Sequence, residues 1–119
     1  MFKKTVFLIL LSGFYNCEEI IEVEDISEET ISILAPTNNA ILDVNDINFS
    51  WEPIEHAENY HLQIATPNFE LAQQIIEDTL LTSSNFTKIL PTNEYQWRIK
   101  GVNSAYQTQF ITHYLTIEE

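Results

Sequence analysis

Three stretches of strict alternation constrain this chain more than any other feature. Ile47, Phe49 and Trp51 alternate with Asn48 and Ser50. Tyr60, Leu62 and Ile64 alternate with His61 and Gln63. Tyr95, Trp97 and Ile99 alternate with Gln96, Arg98 and Lys100. A period of two sends successive side chains to opposite faces of an extended strand, so each stretch predicts one apolar and one polar face. Apolar faces this rich in aromatic rings must be covered, and a second sheet about 10 Å away is the economical cover. Further β-rich segments lie at 31–35, 73–81, 84–90 and 108–117. The last has mixed faces, as an edge strand or a bulged one would. Residues 69–76 also fit a short helical turn, but the spacing around them favours strand. Pro36 to Ala40 reads as a turn. About seven strands result, separated by turn signals, and they predict a single all-β sandwich over residues 30–119.

Composition supports one folded domain and limits its chemistry. Of the 119 residues, 45 % are hydrophobic, enough for an ordinary core. Five Lys and Arg stand against eighteen Asp and Glu, a net charge of −13. Such a body repels phosphate backbones and anionic lipid heads, which argues against nucleic-acid binding. The single cysteine, Cys17, can form no internal disulfide and no multi-cysteine metal site.

Residues 1–16 read as a signal peptide. Lys3 and Lys4 form a positive start, Thr5 to Leu11 an apolar run, and a strongly acidic stretch follows Cys17. The apolar run is far shorter than the roughly 20 residues of a membrane-spanning helix. The lone cysteine at its end resembles the lipid-accepting cysteine of bacterial lipoproteins, although Phe14-Tyr15-Asn16 lacks the usual small residue before it. That resemblance implies a covalent lipid on Cys17, a new N-terminus there and a membrane anchor. Two or more acyl chains hold a protein to a bilayer stably where one does not. Loss of Lys3 and Lys4 leaves three basic and eighteen acidic side chains, a charge of −15.

Residues 18–29 (EEIIEVEDISEE) carry seven acidic side chains in twelve. Like charges this dense extend a chain, so 17–29 is expected to be a lipidated, solvated tether. An acidic start directly after the cysteine also resembles the surface-export signal of some Gram-negative lipoproteins. It implies the outer membrane, facing outward.

Four phrases in order resemble a fibronectin type III domain. Phe49-Ser50-Trp51-Glu52-Pro53 is similar to its second strand and Ala57 to Ile64 to its third. Ile89-Leu90-Pro91-Thr92-Asn93-Glu94-Tyr95 resembles the tyrosine corner, with Ile89 at the usual Leu position. Gln96 to Asn103 resembles the sixth strand. The resemblance implies an immunoglobulin-like sandwich, Trp51 and Trp97 in its core, and a Tyr95 hydroxyl tied to backbone a few residues upstream.

No motif for catalysis is present. His56, His61 and His113 have no HExxH-type spacing, there is no GxSxG, and no glycine loop cradles phosphate. No enzyme activity, cofactor or metal is expected. Asp78-Thr79-Leu80 resembles a bacterial O-glycosylation motif and marks Thr79 as a possible acceptor. Arg98 and Lys100 lie two apart on one strand, opposite in face to Trp97, and His61 and Gln63 lie likewise on the strand expected beside it. These four form the candidate binding patch, next to the loop Asn103 to Thr108, with Glu77 or Asp78 near enough to neutralise it. The expected function is a surface-exposed, non-catalytic module for binding or adhesion to a protein or glycan. The alternative is an accessory subunit of an outer-membrane uptake or secretion complex.

Overall fold

A computed structural model describes residues 22–119. The expected signal peptide, residues 1–16, and Cys17 therefore lie outside the described residues. The chain forms eight strands: β1 Ile33–Ala35, β2 Ala40–Leu42, β3 Asp46–Trp51, β4 Asn59–Thr66, β5 Gln74–Leu81, β6 Asn85–Ile89, β7 Asn93–Val102 and β8 Ile111–Ile117. They make two sheets, ordered β1-β3-β6 and β2-β8-β7-β4-β5. All pairs are antiparallel except β2 with β8.

The alternating residues meet between the sheets. From β3 come Ile47, Phe49 and Trp51; from β4, Tyr60, Leu62 and Ile64; from β7, Tyr95, Trp97 and Ile99. Trp51 is 1 % exposed and Trp97 is fully buried. Phe49 meets Trp97 edge-on at 4.7 Å, and Trp51 tilts over Tyr60 at 5.7 Å. Neither indole N–H has a hydrogen-bond partner, which costs about 1–3 kcal/mol each. Burial of each ring contributes roughly 4–6 kcal/mol and outweighs that loss.

The Tyr95 hydroxyl donates to the carbonyl of Pro91 at 2.6 Å, closing the tyrosine corner. The buried aliphatic residue of that corner is Leu90 at 1 %, whereas Ile89 is 72 % exposed. The phrase similarity places Ile89 at that position, and the structure corrects it. Ile89 ends β6 directly opposite Asp46, on the solvent side of the sheet, and the chain turns inward only at the next residue.

Residues 36–40 are not only a turn. Ala40 starts β2, which runs parallel to the end of β8 and raises the strand count to eight. Asn39 takes the left-handed conformation the turn needs, with φ 66°. The packed body also begins before residue 30. Ile26 is 2 % exposed, and Asn103 Nδ2 donates to the Glu24 carbonyl at 2.9 Å. Asp25 accepts from the Ser27 backbone, and Glu29 N–H closes a turn onto Ile26. One buried isoleucine, worth about 1.5–3 kcal/mol, holds this acidic segment down against its own repulsion.

Candidate functional site

β4 and β7 pair so that His61 lies opposite Lys100 and Gln63 opposite Arg98. All four side chains leave the outer face of the five-stranded sheet, as the alternation requires. The patch predicted from spacing is therefore assembled, and its surroundings add what spacing does not show.

Arg98 is the centre. Its guanidinium lies 4.0 Å from the ring centre of Phe69 and 4.4 Å from that of Phe110. Nε donates to Gln63 Oε1 at 2.7 Å. Phe69 belongs to the loop between β4 and β5, which folds back over the sheet. That loop is fastened by the Phe69 N–H donating to Gln96 Oε1 at 2.8 Å. Phe110 stands just before β8 and also receives Lys100, whose Nζ is 4.6 Å from the ring centre. Lys100 Nζ donates to Gln107 Oε1 at 2.6 Å, so the loop Asn103 to Thr108 does reach the patch. His61 tilts against Phe110 at 5.7 Å. Cations over aromatic faces gain about 0.5–1 kcal/mol each at exposed sites and more when desolvated. Arg98 thus braces two loops against the sheet as well as carrying charge.

The expected neutralisation is only half present. Asp78 Oδ1 pairs with His61 Nε2 at 2.5 Å. The His61 hydrogen bond, helped by Gln63 and the charges of His61 and Arg98, lowers the Asp78 carboxyl below its ordinary value, against a smaller opposing effect of burial. Glu77 turns to the other side of β5 and pairs with Lys88 at 3.1 Å across the gap to β6. Among the described residues, neither Arg98 nor Lys100 has a carboxylate within ion-pair distance.

The other singled-out residues lie apart. His56 sits in the β3–β4 loop with φ 73°, its ring 4.0 Å from Glu55 and its carbonyl accepting from Asn103 Nδ2 at 3.2 Å. His113 faces inward, its Nδ1 bonded to the Pro36 carbonyl at 3.0 Å and its ring edge-on to Trp97. Among the described residues no three His, Cys, Asp or Glu side chains converge. Thr79 is half-buried opposite Leu62, on the inward side of β5. Phe69 and Phe110 are the site residues that sequence reasoning missed. Each is an aromatic flanking a strand, outside any alternating run.

No protein-family model and no curated protein matches the chain. Solved structures share its architecture. The fibronectin(III)-like modules of CbhA from Clostridium thermocellum align with a TM-score of 0.54 at 5 % identity, covering 75 % of this chain and 96 % of that one. FN3tt aligns at 0.52 with 13 % identity, covering 75 % and 97 %. A fibronectin type III domain derived from the human KIAA0970 protein aligns at 0.52 with 9 % identity, covering 75 % and 74 %. Identities this low carry fold and nothing finer. The chain has the fibronectin type III fold.

Proposed function

We propose that this protein is a non-catalytic binding module, held at the outer membrane by lipid on Cys17, that recognises a carboxylate-bearing glycan on the outer face of its five-stranded sheet. The observation that carries the reading is the pair Arg98 and Lys100. They share the ring of Phe110, and among the described residues neither has a carboxylate partner, in a chain of net charge −13. Guanidinium groups match planar carboxylates in two-point contacts. The neutral hydrogen-bonding groups around them, Gln63, Gln96, Gln107 and Thr112, suit hydroxyl-rich neighbours. A body this acidic repels a run of acidic side chains on a protein. A glycan with single carboxylates set between neutral sugars meets less of that repulsion.

The test is binding to hyaluronan, in which carboxylated and neutral sugars alternate, alongside its carboxyl-reduced form and polyglutamate. Lys100→Glu and Arg98→Met remove the two charges, and methionine still fills the slot between the rings. The reading expects hyaluronan to be retained by wild type, and to be lost on carboxyl reduction and in both variants. Equal retention by wild type and both variants overturns it. Preferential retention of polyglutamate assigns the patch to an acidic protein instead. Labelled palmitate should enter the wild-type chain and not Cys17→Ser; absence of label from wild type removes the anchor.

A further inference from the structure

Both sheets end in open edges, and natural sheets protect such edges by keeping them short, bulged or basic. Three of the four follow this rule. β1 and β2 have three residues each, β1 has an irregular register with β3, and β6 has five residues and carries Lys88. β5 does not. It has eight residues (QIIEDTLL), no proline and no lysine, and it pairs only with β4. Leu80 is 60 % exposed and Ile75 is 47 % exposed along it. Its irregularity against β4 lies at Ile76, which leaves Glu77 to Leu81 as a regular stretch. Acidic residues on an edge ordinarily discourage pairing, but here both are engaged within the chain, Asp78 by His61 and Glu77 by Lys88.

We infer that the β5 edge is a self-association surface on which a second copy of this chain pairs antiparallel, centred on Thr79. Charge selects the register. Opposite residues of an antiparallel pair share a face, so two identical strands must cross on a residue. Centring on Glu77 or Asp78 sets like charges against each other, and centring on Leu80 leaves little strand to pair. Centring on Thr79 places Thr79 against Thr79, Asp78 against Leu80 and Glu77 against Leu81. Threonine pairs are favourable in this position, and no like charges meet. The two-fold axis stands normal to the sheet, so the five-stranded sheets join as one of ten strands. The outer patches of both copies then face the same side. The net charge opposes association at a distance, so pairing strengthens as salt screens it. Carboxylate binding at the patch has the opposite salt dependence, and the inference stands independently of that reading.

The test uses the full chain in mild detergent with Thr79→Cys, oxidised briefly and read on non-reducing gels. Thr112→Cys, on the exposed middle of the same sheet, is the collision control. Thr79→Cys is expected to cross-link at least tenfold more than Thr112→Cys or wild type. In the Thr79→Cys background, Leu80→Glu sets a charge against Asp78 of the second copy at both symmetric positions, and it should abolish the cross-link. Leu80→Lys sets an opposite charge there and should preserve or raise it. Leu80 is exposed, so unchanged tryptophan fluorescence verifies the fold of each variant. Cross-linking no greater than in the control, or an equal response to Leu80→Glu and Leu80→Lys, overturns the inference.

Discussion

The two sheets obey one rule on their inner faces and differ on their outer ones. Inside, Trp51 of the three-stranded sheet and Trp97 of the five-stranded sheet are equivalent, both buried and both in aromatic contact. Outside, the smaller sheet bonds Asn48 to Thr87 at 2.8 Å across β3 and β6 and sets the exposed Ile89 opposite Asp46. The larger sheet carries Arg98 and Lys100 under two phenylalanines supplied by loops. An inner face is dictated by the need to bury apolar area. An outer face is free of that need, so charge and rings assembled there call for another explanation, which the proposed ligand binding would supply.

Substitutions can break this comparison at each level. The inner faces should respond alike. Trp51→Ala and Trp97→Ala are each expected to cost about 3–5 kcal/mol. Domains of this size hold only about 5–15 kcal/mol, so marginal or lost folding should appear in urea titration. A large loss in one and none in the other would show that a single sheet carries the core. Next comes the corner. Tyr95→Phe leaves the Pro91 carbonyl without its donor, at about 1–3 kcal/mol by the same titration. Burial holds the Tyr95 phenol above its ordinary value. Its contribution is therefore complete below the unfolded value and is lost as pH rises through the folded one. Tyr95→Phe should flatten that alkaline decline.

The outer faces should differ. Arg98→Glu removes the guanidinium from between Phe69 and Phe110, and about 1–2 kcal/mol is expected. Asn48→Ala on the smaller sheet should stay within about 0.5 kcal/mol. Equal effects would reduce the Arg98 stack to ordinary surface contact. The smallest expected effect is at acid pH. The lowered Asp78 carboxyl gives stability that is present above the unfolded value of 3.8 and is lost as pH falls through the lower folded value. Solvent screens this exposed pair, so the loss is small, and Asp78→Asn should remove it from a melting-temperature profile.

The sequence exposes structure where periodicity is long and hides it where contacts are short or distant. β3, β4 and β7 alternate over enough residues to show their inner sides, and with them the outward set His61, Gln63, Arg98 and Lys100. β2 has only three residues, too few for a period, and is held by its neighbour β8. Ile26 sits among acids, where local composition favours a tether. The segment around it is also tied down by Asn103, which bonds the Glu24 backbone from 79 residues away. Phe69 and Phe110 escape notice because their partner, Arg98, lies on another strand. Charge reversal at Arg98 looks harmless from spacing alone, and the two rings explain why it is not.

The central claim is that ligand binding belongs to the outer face of the larger sheet. Its most direct test is to follow backbone amide resonances while hyaluronan is added. Shifts are expected at His61, Gln63, Arg98, Lys100 and the flanking Phe69 and Phe110, with Asn48, Ser50, Asn85 and Thr87 unmoved. Shifts confined to β3 and β6, or none at saturating hyaluronan, would contradict the account.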